Sequence, residues 1–112
     1  MCYSDHYRSE CYEFSPRTQQ WRQSEVRLED RKGFPASVSH QQGVIMAGGR
    51  DFLAGEGGEA WHYFSSVHLL ANNRWSSLPD LPEPLADLCL VTTQLGGRTR
   101  LWAIGGSNVP QR

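Results

Sequence analysis

The sequence has little of what a helical bundle or a membrane-spanning protein needs. Only 38% of its 112 residues are apolar, while 11 glycines and 6 prolines interrupt the chain. This composition favours an all-β, turn-rich fold over a helical one. No apolar run approaches the roughly 18 residues of a membrane span. The first ten residues also lack the basic and apolar regions of a secretory signal.

Cysteine is scarce and the charges nearly cancel. The three cysteines, Cys2, Cys11 and Cys89, are odd in number and unclustered, which favours a reduced compartment and predicts a cytoplasmic location. Eleven basic and twelve acidic residues give a formal net charge of −1. Since such a chain has no global field that attracts polyanions, we expect neither nucleic acid nor membrane among its partners.

Catalytic and metal-binding motifs are also missing. The four histidines, His6, His40, His62 and His68, show no HxH or HExxH spacing, and there is no CxxC pair. The GEGGE segment at 55–59 lacks the Lys-Ser/Thr of a phosphate loop, and no GxSxG motif occurs. The sequence therefore predicts no metal site, no cofactor and no catalytic residues.

What the sequence does contain is a repeat. The segment VIMAGG at 44–49 has the same pattern as LWAIGG at 101–106, four apolar residues followed by two glycines. Gly48 and Gly105 therefore lie 57 positions apart. The chain has four Gly-Gly pairs, where its composition alone would give only roughly one. An apolar strand that runs into a glycine pair, twice, indicates a repeated structural unit.

The rest of the chain predicts short antiparallel strands joined by turns. Asn72-Asn73 predicts a two-residue type I′ hairpin turn, because asparagine tolerates positive φ. The glycine-rich segment 50–61 is predicted to be a long loop. Segment 24–34, the most charged, reads as a solvated loop, with a helix as the alternative. The predicted strands are Cys11–Phe14, Gln20–Gln23, Ala36–His40, Gly43–Ala47, His62–Ala71, Arg74–Leu78, Leu85–Leu95 and Arg98–Ile104.

The two halves align strand by strand. Cys11–Phe14 matches Val67–Leu70 at an offset of 56, and Trp21 matches Trp75 at an offset of 54. With the glycine pairs, these matches define a four-stranded unit of about 50 residues, which is the spacing of a propeller blade.

On these residues the sequence resembles the kelch repeat family. Phe14 and Trp21 are separated by six residues, as in the family pattern, whereas in the second copy Leu70 replaces the aromatic residue and only four residues separate it from Trp75. The resemblance implies a partial kelch propeller over residues 1–112. Residues 35–78 would form one complete four-stranded antiparallel blade, 8–24 the last two strands of a preceding blade, and 85–106 the first two strands of a following one.

The resemblance also assigns structural roles. Large rings are expected to lie on the bare backbone of the glycine pairs, and thereby to join strands and blades. The motif positions are Phe14, Trp21, Gly48, Gly49, Leu70, Trp75, Gly105 and Gly106. Because two blades cannot close a ring of at least about four, we expect the chain to be a fragment of a longer propeller or to assemble with copies of itself.

The functional prediction is a non-enzymatic protein-interaction module. In kelch propellers partners bind at loops such as the one after the glycine pair, and arginine and aromatic residues are enriched at interface hot spots. The resemblance extends this to the substrate-recognition part of a ubiquitin-ligase adaptor. The alternative is a fragment of a kelch-like enzyme, of the copper-radical oxidase or sugar-isomerase type. The candidate partner-binding residues are Tyr3, His6, Tyr7, Arg8, Arg50, Asp51, Phe52 and Trp61.

Overall fold

The computed structural model describes residues 8–28, 32–41, 43–55 and 58–108, and their regular structure is entirely β-strand. The all-β prediction is therefore confirmed. No helix able to cross a membrane occurs in this part of the chain. The strands are β1 (Glu10–Ser15), β2 (Gln20–Arg27), β3 (Ala36–His40), β4 (Gly43–Ala47), β5 (Arg50–Gly55), β6 (Gly58–Tyr63), β7 (Val67–Ala71), β8 (Arg74–Leu78), β9 (Ala86–Leu95) and β10 (Arg98–Ser107).

The centre of the molecule is a four-stranded antiparallel sheet of order β3-β4-β7-β8. The predicted four-stranded antiparallel sheet between residues 35 and 78 is therefore confirmed, with β5 and β6 outside it. Asn72 and Asn73, at φ of 55° and 61°, make the predicted tight turn between β7 and β8. Gly96 and Gly97, at φ of 60° and 76°, connect β9 to β10 in the same way.

The predicted loop at 50–61 is wrong, because β5 and β6 pair there as an antiparallel hairpin. Gly55 and Gly58 pair at the end of this hairpin, whereas both flanks contain aromatic residues that favour strands. One strand predicted from His62 to Ala71 is also wrong. β6 ends at Tyr63 and β7 begins at Val67, because the chain must leave the hairpin and enter the central sheet between them.

The chain ends form two further hairpins. β1 and β2 pair with Phe14 directly opposite Trp21, and the two ring centroids lie 5.1 Å apart. β2 continues to Arg27, so the predicted loop starts four residues too early. Half-buried Ser24 and Val26 alternate with exposed residues over that stretch, which is the pattern of a strand with one covered face.

The hydrophobic core lies between one face of the central sheet and the β9–β10 hairpin. Ala86, Leu88 and Leu90 of β9 are buried, while the residues between them are exposed. Leu88 and Leu90 pack on the sheet face that carries Ile45, at 5% exposure, and completely buried Ala47. Burying a leucine side chain contributes about 1.5–3 kcal/mol, so this alternation fixes which face of the hairpin meets the sheet.

The β1–β2 hairpin contacts the opposite face of the central sheet. Trp75 belongs to that face, because it pairs across β7 with Leu70, which pairs in turn with Val44. Its indole Nε1–H donates a hydrogen bond of 2.6 Å to the carbonyl of Arg27, at the end of β2. An open cleft of about 310 Å³ separates the hairpin from Asn73. The central sheet is thus placed between two hairpins.

The predicted contact between large rings and the glycine pairs is not formed. Trp21 is 67% exposed, so the prediction that its ring is buried on bare backbone is wrong. At Gly48 the nearest neighbours are the Leu85 carbonyl oxygen and the Leu88 side chain, and the Gly49 N–H donates to the same carbonyl at 2.8 Å. The chain segment that enters β9 therefore occupies the space that the rings were expected to fill.

Candidate functional site

The β5–β6 hairpin carries an aromatic face directly after Gly48-Gly49. Arg50 pairs with Tyr63 and Phe52 pairs with Trp61, so these four side chains lie on the same face of the hairpin. The rings of Phe52 and Trp61 meet edge to face, with centroids 4.9 Å apart. Such pairs contribute about 0.5–1.5 kcal/mol beyond the apolar area that they bury.

Arg50 lies between two aromatic rings. Its guanidinium carbon is 4.3 Å from the ring centroid of Trp61 and 4.5 Å from that of Phe34. Both distances fall within the range of a cation–π contact. We refer to Phe34, Arg50, Phe52 and Trp61 as the aromatic–cation cluster. Phe34 is 48% exposed, and the other three residues are half-buried.

Phe34 is held in an unusual backbone conformation. Its φ is +57°, which a bulky side chain rarely adopts and which costs about 1–3 kcal/mol. Two hydrogen bonds between Gly33 and Arg50, of 2.8 and 2.9 Å, hold the preceding residue, and the N–H of Asp87 donates to the Phe34 carbonyl at 3.0 Å. The fold thus fixes an exposed ring in a strained position, as is frequent at functional sites.

A second cation lies close to the cluster. Lys32 is only 5% exposed, and its ammonium lies 5.2 Å from the ring centroid of Phe64. Its aliphatic chain contacts the backbone at Gly49, where an added Cβ would come within 3.0 Å of Lys32 Cδ. Lys32 is thus a buried cation against half-buried Phe64, while Arg50 lies beside the exposed ring of Phe34.

The predicted binding residues divide into three groups. Arg50, Phe52 and Trp61 are brought together in the cluster. Asp51 is on the other face of the hairpin, opposite His62, and Arg8 precedes β1 in the N-terminal hairpin. Tyr3, His6 and Tyr7 lie outside the described residues. Sequence analysis missed Phe34, since only the pairing of Gly33 with Arg50 brings it to the hairpin.

Arg8 is engaged within its own hairpin. Its Nε and Nη2 donate to the two carboxylate oxygens of Glu10 at 3.1 and 3.2 Å. These hydrogen bonds from Arg8 are the main reason that the pKa of Glu10 falls to about 2. Because the folded-state pKa is depressed, the stability from this pair is present above pH 4.5 and is lost as pH falls toward 2.

Replacing Arg8 with alanine is therefore expected to raise the pKa of Glu10 toward its ordinary value of 4.5. A carboxyl-detected NMR titration of the variant measures this pKa directly. Arg17→Ala is the matched control, because Arg17 lies in the β1–β2 turn and takes no part in the Arg8–Glu10 pair. A Glu10 pKa that stays near 2 without Arg8 would show that another group depresses it.

The described residues contain no group of three or more His, Cys, Asp or Glu side chains arranged to hold a metal ion. No protein-family model matches the sequence, and no curated protein matches it. The exposed ring of Phe34 can receive an apolar or aromatic side chain from a partner.

Proposed function

We propose that this chain is a protein-interaction module of the kelch type and that the aromatic–cation cluster is its binding surface. The observation that carries the proposal is the exposed ring of Phe34, held at positive φ beside Arg50. Aromatic residues and arginine are enriched in the binding cores of protein interfaces. A fixed ring also loses little conformational entropy on binding.

The stacking of the sheets supports the kelch part of the proposal. Ile45 and Ala47 in β4 face the β9–β10 hairpin, and their counterparts 57 positions later are Trp102 and Ile104. Register places these two residues on the outer face of that hairpin, where they are 45% and 54% exposed. Successive sheets thus present the same face in the same direction. This is the relation between neighbouring blades of a propeller, with residues 35–78 as the complete blade.

The residues of the cluster indicate the chemistry of the partner. Phe34 and Trp61 give the surface apolar area, with the guanidinium of Arg50 between their rings. The complementary ligand is a peptide segment with an aromatic or aliphatic side chain that packs on the exposed ring of Phe34. Substrate recognition for ubiquitin ligation is one role for such a module, supported by the kelch resemblance. A cytoplasmic location agrees with the free thiols of Cys11 and Cys89.

Phe34→Asn is the variant that tests this surface. Asparagine tolerates the left-handed conformation, so the change removes the ring while the free energy of unfolding changes by less than about 1 kcal/mol. Loss of a hot-spot ring costs at least about 2 kcal/mol of binding, which is about a 30-fold loss of affinity. Arg50 is a poorer choice, because its side chain packs between two rings and its removal would also lower stability.

The measurement begins with peptides selected from a displayed random library on the wild-type chain. The affinities of these peptides are then compared between the wild type, Phe34→Asn and the control Leu95→Asn. Leu95 is 74% exposed in the β9–β10 hairpin. We expect peptides with an aromatic or aliphatic residue in common, a loss of about 30-fold for Phe34→Asn, and unchanged binding for the control. Equal affinities of the wild type and Phe34→Asn would contradict the proposed site.

A further inference from the structure

The β10 strand presents a long apolar edge. It has ten residues, Arg98–Ser107, and β9 is the one strand that pairs with it in the described part of the chain. All but the last of its residues are exposed. Leu101, Trp102 and Ile104 are 41%, 45% and 54% exposed. A strand edge of this kind, with unpaired backbone groups and apolar side chains, is a template for pairing with another strand.

The β1 strand at the other end of the molecule presents a second edge. Within the described residues it pairs with β2 alone, and its Tyr12 and Phe14 are 56% and 41% exposed. The two edges cannot meet within one chain. The β1–β2 hairpin contacts the face of the central sheet that carries Trp75, and the β9–β10 hairpin covers the opposite face.

The central sheet shows how these two edges fit together. In that sheet, β4 pairs with β7 through Val44–Leu70, Met46–His68 and Ala47–Val67. β10 repeats β4 at an offset of 57, and β1 precedes β7 at an offset of 56. When the offsets are applied, the register of the central sheet places Leu101 opposite Phe14, Ala103 opposite Tyr12, and Ile104 opposite Cys11.

We propose that β10 of one copy pairs with β1 of a second copy, in this register, to form a four-stranded sheet of order β9-β10-β1-β2 across two chains. In this register Arg100 lies opposite Ser15 and diagonal to Glu13 on the same face, within reach of a long side chain, while Arg98 lies beyond the end of β1. Glu10 and Glu13 already bind Arg8 and Arg22 of their own hairpin. β10 carries Arg98 and Arg100 and no acidic residue, so two β10 strands would repel each other.

This pairing is head to tail, because the two surfaces that meet are different. Each copy supplies one four-stranded sheet, and its β1–β2 and β9–β10 hairpins each supply half of another. Rings of two, three or four copies would therefore contain four, six or eight four-stranded sheets. A head-to-tail contact closes into a ring when its rotation permits, and propellers have about four to eight blades. The inference goes beyond the binding function proposed above and does not use the aromatic–cation cluster, so either can fail without the other.

Two lysine substitutions block one edge each. Leu101→Lys and Tyr12→Lys put a charge on exposed positions whose side chains the composite sheet would bury. By sedimentation velocity, the wild type is expected to associate with rising concentration, whereas each variant alone is expected to remain a 12.7 kDa monomer. A mixture of the two variants retains one intact pair of edges, so it is expected to stop at a 1:1 dimer.

Each contrary result overturns the proposal. A wild type that stays monomeric at several hundred micromolar shows that the edges do not pair. Self-association of Tyr12→Lys alone shows that β10 pairs with itself, and a mixture that stays monomeric shows that the two edges are not complementary. Circular dichroism and thermal melts confirm that each variant is folded.

Cysteine cross-linking tests the register independently of these variants. All three native cysteines are replaced by serine, and a chain with Leu101→Cys is mixed with a differently tagged chain with Phe14→Cys. Directly opposite residues of an antiparallel pair lie about 4.5–5.5 Å apart at Cα, within the range of a disulfide. The control replaces Phe14→Cys with Glu13→Cys, whose side chain points to the other face. We expect a cross-linked heterodimer with position 14 only, and equal or absent cross-linking would refute the register.

Discussion

Replacing Gly48 with alanine is expected to lower the free energy of unfolding by about 2–5 kcal/mol. Gly48 has a φ of +71°, where a Cβ is strained, and an added Cβ would overlap the Leu85 carbonyl oxygen and lie 3.1 Å from Leu88 Cδ2. The backbone cannot move away easily, because the Gly48 N–H donates to the Ser66 carbonyl and the Gly49 N–H to the Leu85 carbonyl. Urea denaturation with a well-defined slope gives the loss directly.

The repeat supplies a matched control for this change. Gly105 is the counterpart of Gly48, with a φ of +76°, but no atom lies within 4 Å of the place where its Cβ would be. Gly105→Ala is therefore expected to cost only the backbone strain, about 1–2 kcal/mol. Equal losses at the two positions would mean that the close approach of Leu85 and Leu88 does not contribute to stability.

Replacing Leu88 with alanine is expected to cost about 2–5 kcal/mol, the range for removing a buried leucine side chain. Leu88 is 6% exposed, and it packs with Ile45 and Val67 in the layer that joins the β9–β10 hairpin to the central sheet. The cavity left by the smaller side chain would lie in this layer. Amide hydrogen exchange should therefore show faster opening of β9 and β10 than of the central sheet.

Leu95→Ala is the control within the same strand. Leu95 is 74% exposed beside the β9–β10 turn, so its truncation should change the free energy of unfolding by no more than about 0.5 kcal/mol. Chemical denaturation of both variants makes the comparison. If Leu88→Ala were as stable as Leu95→Ala, the hairpin would not be packed on the sheet through this face of β9.

Local sequence patterns predicted those parts of the fold that local chemistry determines. β3 and β4 have the predicted bounds, since Pro35 precedes β3 and the chain turns at Gln41, with a φ of 54°, directly after it. The Asn72-Asn73 turn and the pairing of Phe14 with Trp21 follow from turn preference and strand alternation. Such features need no knowledge of distant residues.

The predictions that are wrong concern features that depend on contacts between residues far apart in the sequence. The glycine content of segment 50–61 predicted a loop, yet strand pairing of its flanks decides the structure. At Gly48, Leu85 and Leu88 on the path into β9 occupy the space next to the glycine pair where a ring was expected. The sequence near a glycine does not show which distant segment packs against it.

Only part of the candidate site was predictable, because one of its residues joins it through a contact between distant parts of the sequence. Arg50, Phe52 and Trp61 follow the glycine pair, so the family resemblance indicated them as surface residues. Phe34 lies 16 positions before Arg50 in the sequence and joins the cluster only through the isolated pairing of Gly33 with Arg50. Its positive φ follows from that contact and from the hydrogen bond with Asp87, and neither can be read from the sequence near Phe34.

Methyl NOE spectroscopy tests most directly whether successive antiparallel sheets stack with the same face forward. We expect strong NOEs from the methyl groups of Leu88 and Leu90 in β9 to those of Ala36 and Ile45 in the central sheet. We also expect a slowly exchanging Trp75 indole proton close to Arg27 on the opposite face. NOEs from Leu88 and Leu90 confined to their own hairpin, or a rapidly exchanging Trp75 indole, would contradict the stacked arrangement.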